Sequence, residues 1–137
     1  MIDGVGKMQN AVQEQYLKVK VETASPGELT LMLYQEMTKS LLLAKRLYTQ
    51  QQFEKMNEAL HKVRSILTEL IVTLNMDYQI ARDLKELYDF YSRHVAEFMI
   101  RRDVALLDDT LEFCQGLAET WKEALLSLKK GGNSAHV

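Results

Sequence analysis

The chain has 137 residues, 47% of them apolar, and a formal net charge of −2, which implies one domain with enough apolar side chains for a real core. The slightly acidic balance argues against nucleic acid as a partner, since that role wants a basic face. No run of about 18 apolar residues is present, so no membrane insertion is expected, and the lone Cys114 has no partner for an intramolecular disulfide, which points to a reducing, cytoplasmic setting.

Met1-Ile-Asp-Gly-Val-Gly-Lys7 lacks the apolar h-region of a secretory signal. Residues 1–25 read as an N-terminal arm, with 1–8 expected to be disordered. Ala11, Val12, Tyr16 and Leu17 suit one short amphipathic turn, and Val19 with Val21 suits an extended stretch. Such an arm packs on the side of a domain or serves as a displaceable cover for a groove. Ser25-Pro26-Gly27-Glu28 then marks a helix start. Ser25 is placed to cap, Pro26 fits the first helical position, and Glu28 completes a capping box while putting negative charge at the positive helix end.

Apolar spacing predicts helices over 26–49, 53–74, 77–100 and 104–129. The seams run through Tyr34, Met37, Leu41, Ala44 and Tyr48 in the first helix, and through Met56, Leu60, Val63, Leu67, Leu70 and Leu74 in the second. Ile80, Leu84, Leu87, Tyr91, His94 and Phe98 make the third, and Leu107, Leu111, Cys114, Ala118, Trp121, Leu125 and Leu128 the fourth. A repeat of about 3.5 residues in four segments predicts helices packed at shallow angles. Asn75 is expected as a left-handed C-cap, Asp77 as the cap of the third helix and Asp103 as that of the fourth. The break at Gln50-Gln51-Gln52 holds no glycine or proline. Short links make sequence neighbours antiparallel. The expected fold is all-α: an antiparallel up-down four-helix bundle over 26–130 with a short N-terminal arm and a disordered tail at 131–137.

Little in the chain reads as chemistry. Glu58-Ala-Leu-His61 has the spacing of a carboxylate-bridged di-iron motif, yet it occurs once and points away from its seam, which reads as a solvated surface pair. Ala59-Leu-His-Lys-Val-Arg-Ser65 faintly resembles the phosphoacceptor helix of histidine phosphotransfer domains, with His61 as acceptor; Arg64 and Ser65 depart from the lysine and glycine usual there. His94 reads as a partly buried, hydrogen-bonded histidine and Cys114 as an inert core thiol. Lys45-Arg46 and Arg101-Arg102 sit at helix ends, where cations suit the negative dipole end. No phosphate loop, zinc spacing or Ser/His/Asp cluster is readable, so no metal, no cofactor and no enzymatic activity are expected.

The apolar residues outnumber the seam positions. Leu31 and Leu42 project to the outer side of the first helix, Val72 of the second, Phe90 of the third, and Phe113 and Leu126 of the fourth. Large apolar residues on the outside of a small bundle predict grooves that receive apolar side chains from a partner. Seven methionines, among them Met32, Met56 and Met99, suit an adaptable surface as well as a core.

Several strings in order resemble the flagellin-specific export chaperone family, FliS. Tyr16 and Val21 precede Thr23-Ala-Ser-Pro-Gly-Glu-Leu29 and Met32-Leu-Tyr34. Ile66-Leu-Thr-Glu-Leu70 leads to Thr73-Leu-Asn75, and Leu87-Tyr-Asp-Phe90 with Arg93 resembles the family's Leu-Tyr-Asp-Tyr run. Asp103 and Trp121-Lys122 follow. The likeness spans roughly residues 11–126. Two departures stand out: His94 follows Arg93 where the family commonly has a second arginine, and Phe98-Met99 stands where an Ala-Asn pair often closes the helix. The second departure removes an asparagine cap and implies a more apolar surface at the third loop.

The resemblance implies a cytoplasmic export chaperone that binds the disordered C-terminal segment of flagellin, prevents premature polymerisation and assists delivery to the flagellar type III export apparatus. It uses no nucleotide, because binding itself does the job. Its partners would be flagellin and export apparatus components. Periodicity and resemblance together assign partner binding to Tyr16, Val21, Leu31, Leu42, Val72, Phe90, Phe113 and Leu126, with the arm covering part of that surface in the free protein. Leu29, Tyr88 and Trp121 are expected to be packing residues, and Asp89 with Arg93 an ordinary i,i+4 ion pair. An exposed groove would also let the client-free protein form a homodimer, for instance by exchanging arms.

Overall fold

The computed structural model describes residues 11, 12, 14, 15 and 24–130. Ala11, Val12, Glu14 and Gln15 are helical and exposed. Tyr16 and Val21, and the readings made for 1–8 and 131–137, lie outside the described residues.

Four helices follow: α1 (Pro26–Thr49), α2 (Phe53–Val72), α3 (Gln79–Arg101) and α4 (Val104–Lys130). α1 packs on α2 and α4, and α3 packs on the same two from the opposite corner. Gly27 of α1 meets Leu125 of α4, while Lys45 reaches Asp108 at 2.8 Å. α1 and α4 are therefore antiparallel, and the molecule is an all-α four-helix bundle.

Local chemistry sets the helix ends. The Ser25 hydroxyl accepts the Glu28 N–H at 3.2 Å, and the Ser25 carbonyl accepts the first helical bond, from Leu29, at 2.9 Å. The capping expectation therefore holds at Ser25. At the other end of α1, Gln51 N–H bonds the Tyr48 carbonyl and Gln52 N–H the Leu47 carbonyl, with Gln51 at φ 59°. This is a Schellman motif built on a glutamine, which explains a sharp break with no glycine to announce it. Arg102 closes α3 from the left-handed region at φ 58°, its N–H on the Phe98 carbonyl at 2.9 Å. A single left-handed residue thus does the work an asparagine cap would have done. Asp103 caps α4 as expected, its carboxylate accepting the Ala105 N–H at 3.1 Å.

The second hairpin departs from expectation. α2 ends at Val72 with Thr73 in the right-handed region as its cap, so Asn75 is no left-handed C-cap. Its side chain instead accepts the Asp77 N–H at 3.1 Å, an Asx turn that folds the loop. Tyr78, not Asp77, holds the cap position of α3, which starts at Gln79.

The core is Tyr34, Met37, Leu41, Ala44 and Leu47 of α1 against Met56, Leu60, Val63, Ile66, Leu67 and Leu70 of α2, closed by Tyr88, Val95 and Phe98 of α3 and Leu107, Leu111 and Cys114 of α4. Each fully buried large side chain contributes about 1.5–3 kcal/mol. Two aromatic pairs cross the diagonal. Tyr34 and Tyr88 share a hydroxyl bond of 2.6 Å, and Tyr48 meets Phe98 with ring centroids 5.5 Å apart.

The seam of α3 is the main correction. Ala81, Tyr88, Val95 and Phe98 are buried, whereas Ile80 is 65% and Leu87 42% exposed. Phe98 and Leu84 keep their expected inward places, while Tyr88 takes the interior in place of Leu87. Tyr88 goes inward with its ring in the core and its hydroxyl paired to Tyr34, so a large aromatic surface is buried without leaving a polar group unpaired. Phe98 is fully buried, so it adds nothing to the surface at the third loop.

Candidate functional site

With Tyr88 inward, Leu87 joins Phe90 on the outside of the bundle. Leu87 and Phe90, 43% exposed, stand on the side of α3 that faces α4. Tyr91 bridges them to the next helix. Its ring stacks on Phe113 at 4.0 Å and 12°, and meets Phe90 edge-on at 5.0 Å. His94 lies against both Phe90, at 4.3 Å, and Tyr91, at 5.4 Å, so it is half-buried in an aromatic strip. An open cleft of about 540 Å³ follows this strip, floored by Tyr91, Phe113 and Leu117 and edged by Asp109 and Glu112. Burial first, then those two carboxylates, raise the Tyr91 phenol above its ordinary pKa.

A second apolar face lies between α1 and α4. Leu31 and Leu42 are three helical turns apart and share the α4 side of α1. Leu126 lies five turns beyond Asp108, the partner of Lys45, and so stands on the α1 side of α4. Leu42 is 48% and Leu126 50% exposed, and Leu31 is half-buried. The structure thus divides the sequence-assigned residues. Leu31, Leu42 and Leu126 go to one face and Phe90 with Phe113 to another. Val72, 77% exposed at the end of α2, belongs to neither. Leu87, Tyr91 and Leu117 were missed as surface residues, because the expected α3 seam had drawn Leu87 and Tyr91 inward.

A partly buried polar cluster built from residues that carried the family resemblance ties α1 to α3 and α4. The Trp121 indole N–H donates to the Gly27 carbonyl at 2.8 Å, and its ring meets Tyr34 edge-on at 5.8 Å. A side chain at position 27 would be pressed against Leu125, whose Cδ2 lies 2.9 Å from an ideal Cβ; glycine is what lets α1 and α4 approach there. Trp121 and Tyr88 are packing residues, as expected. Burial keeps both Tyr34 and Tyr88 protonated, their pKa values raised above 10.0, and burial pushes the Cys114 thiol up to about 12. A thiol so placed is a poor nucleophile.

The remaining candidates are solvent-side. Glu58 and His61 are exposed on α2. Of the cations beside His61, Lys62 pairs with Glu36 of α1 and Arg64 donates to Ser92 of α3 at 3.3 Å. Both are drawn away from the imidazole. Asp89 pairs with Lys85 at 2.7 Å rather than with Arg93, which corrects the expected ion pair. Arg101 pairs with Glu97 at 3.7 Å, and Arg102 lies 4.8 Å over the Phe53 ring with its guanidinium on the Met56 sulfur. Among the described residues no three His, Cys, Asp or Glu side chains converge as metal ligands, and no helix is long and apolar enough to cross a membrane.

A closed helical core with apolar residues along its outside defines a small all-α four-helix bundle. The family model described as Flagellar protein FliS matches residues 8–127. The Flagellar secretion chaperone FliS of Bacillus subtilis (strain 168) is 33% identical over 115 residues, which cover 84% of this chain and 86% of that protein. The Salmonella typhimurium protein of the same name is 30% identical over 115 residues, 79% of this chain and 85% of its own. The Vibrio cholerae one is 28% identical over 114 residues, 79% and 84%. The chain belongs to the FliS family of flagellar secretion chaperones.

Proposed function

We propose that this protein is a cytoplasmic export chaperone that binds the disordered C-terminal segment of flagellin, keeps it from polymerising and assists its delivery to the flagellar type III export apparatus. The observation that supports this reading most is the pair of apolar faces lying outside an already filled core. A small bundle needs neither Leu42 and Leu126 nor Phe90 half-exposed for its own stability. Binding such a client needs no bond making, so the residues act by shape and by removing apolar surface from water. A client helix laid along α1 and α4 would have 24 and 27 residues of partner to follow, about 36–40 Å. Ordering a disordered client costs part of the gross interaction energy, which lets a large contact still release.

The test is calorimetric titration of the whole chain with a peptide covering roughly the last 50 residues of a flagellin; one-to-one binding with a clearly negative heat-capacity change supports the reading. Leu42→Asp with Leu126→Asp, and separately Phe90→Asp, should each weaken it. Absence of heat and of co-migration at tens of micromolar, with both components soluble, would sink it for that flagellin.

A further inference from the structure

The two apolar faces differ in charge, and the difference specifies what each can hold. Asp109 and Glu112 of α4 stand beside the α3–α4 strip, and the outer side of α3 next to Phe90 carries Asp83, Glu86 and Asp89 with Arg93 as the one cation among the described residues lining it. Lys85 answers Asp89. The strip therefore keeps a local negative excess larger than that of the whole chain, whose net charge is only −2. Between the carboxylates lie the faces and edges of Phe90, Tyr91 and Phe113, and aromatic faces attract cations as well as apolar groups. A second cleft of about 620 Å³ lies on the outer side of α3, with Leu87 and Phe90 in its lining, and Phe90 touches Tyr91 of the first at 5.0 Å.

We infer that the α3–α4 face docks a cationic amphipathic helix of a protein partner, its apolar row covering Phe90, Tyr91 and Phe113 and its lysines or arginines meeting Asp83, Glu86, Asp109 and Glu112. An acidic segment of the same apolar pattern is rejected, because its carboxylates would sit among like charges. The inference rests on the client-binding reading only in taking the exposed faces as binding faces. It adds the sign of charge that the occupant of this one must carry.

The experiment uses the whole chain and two designed peptides of about 20 residues, roughly 30 Å as helices, with an identical leucine row and either lysine or glutamate on the flanks. Their affinities are measured by fluorescence anisotropy at low and at raised salt. Four exposed ion pairs, each individually weak, sum to about tenfold, so the lysine peptide should bind at least that much tighter than the glutamate one. The gap should shrink as salt screens it. The Asp109→Asn/Glu112→Gln variant, surface changes that leave the core untouched, removes two of the four pairs and should cut the discrimination to about threefold, whereas Leu42→Asp should not reduce it. Equal binding of the two peptides, binding of neither, or discrimination unchanged in the Asp109→Asn/Glu112→Gln variant would overturn the inference. The flagellin peptide titrated alongside separates the two failures: if it binds while the lysine peptide shows no preference, only the charge assignment falls.

Discussion

Removing one hydroxyl from the Tyr34–Tyr88 pair should cost more than removing both. The two oxygens are 2.6 Å apart, and each residue is 1% exposed, so water cannot replace a lost partner. Tyr88→Phe leaves the Tyr34 hydroxyl buried and unpaired, at about 1–3 kcal/mol, and Tyr34→Phe strands Tyr88 at the same cost. The double variant removes both polar groups and keeps both rings, which loses only the net value of one hydrogen bond, about 1 kcal/mol or less. With singles near 2 kcal/mol each and the double near 1, the coupling is about 3 kcal/mol and favours the pair being present or absent together. For a domain of this size each kcal/mol moves the melting temperature by roughly 3–6 °C. Urea titrations followed by far-ultraviolet circular dichroism, with calorimetry on all four proteins, give the full cycle. If the double variant is as unstable as the two singles added, the hydroxyls are not each other's partners, and the account of why α3 turns Tyr88 inward fails with them.

Gly27→Leu should cost about 1–3 kcal/mol by overpacking against Leu125, whereas Gly27→Ala should cost less, since the atom it meets is the free end of a leucine; thermal melts distinguish the two. Gln51→Gly should leave stability unchanged or raise it by up to about 1 kcal/mol, because a left-handed position suits glycine and the gain is offset by a looser unfolded chain. Stability should fall with rising alkalinity. In the unfolded chain Cys114 ionises near 9.0 and the tyrosines near 10.0, while in the folded protein burial holds the Cys114 proton to about 12 and keeps Tyr34 and Tyr88 protonated. Above about pH 9 the unfolded state therefore binds fewer protons, and unfolding is favoured by up to about 1.4 kcal/mol per pH unit for each such group. Below that pH these groups contribute no slope. Cys114→Ala should delay the onset toward pH 10, and urea midpoints measured across this range check it.

Sequence by itself determined the four helices, the Ser25 and Asp103 caps, the seams of α1, α2 and α4, and the family. Those features depend on near neighbours: a hydroxyl beside its own helix start, or leucines spaced to share one side of a single helix. The strings that carry the family likeness are legible for the same reason, although what they do is not. Nothing along the chain says that Trp121 donates to the carbonyl of Gly27, ninety-four residues away. Tertiary structure alone decided which of Leu87 and Tyr88 faces inward, because the buried Tyr88 hydroxyl is satisfied only by Tyr34 of another helix. That choice left Leu87 outside beside Phe90, which the pattern already placed there, and Tyr91 stacked on Phe113 completes the aromatic strip. That Phe90 and Phe113 share one face, and Leu31, Leu42 and Leu126 another, is settled by how the helices pack, since the linear pattern marks each residue only as outward on its own helix. Helix periodicity reports which residues share a side of one helix; which sides of different helices adjoin is settled only when buried partners across the bundle satisfy each other.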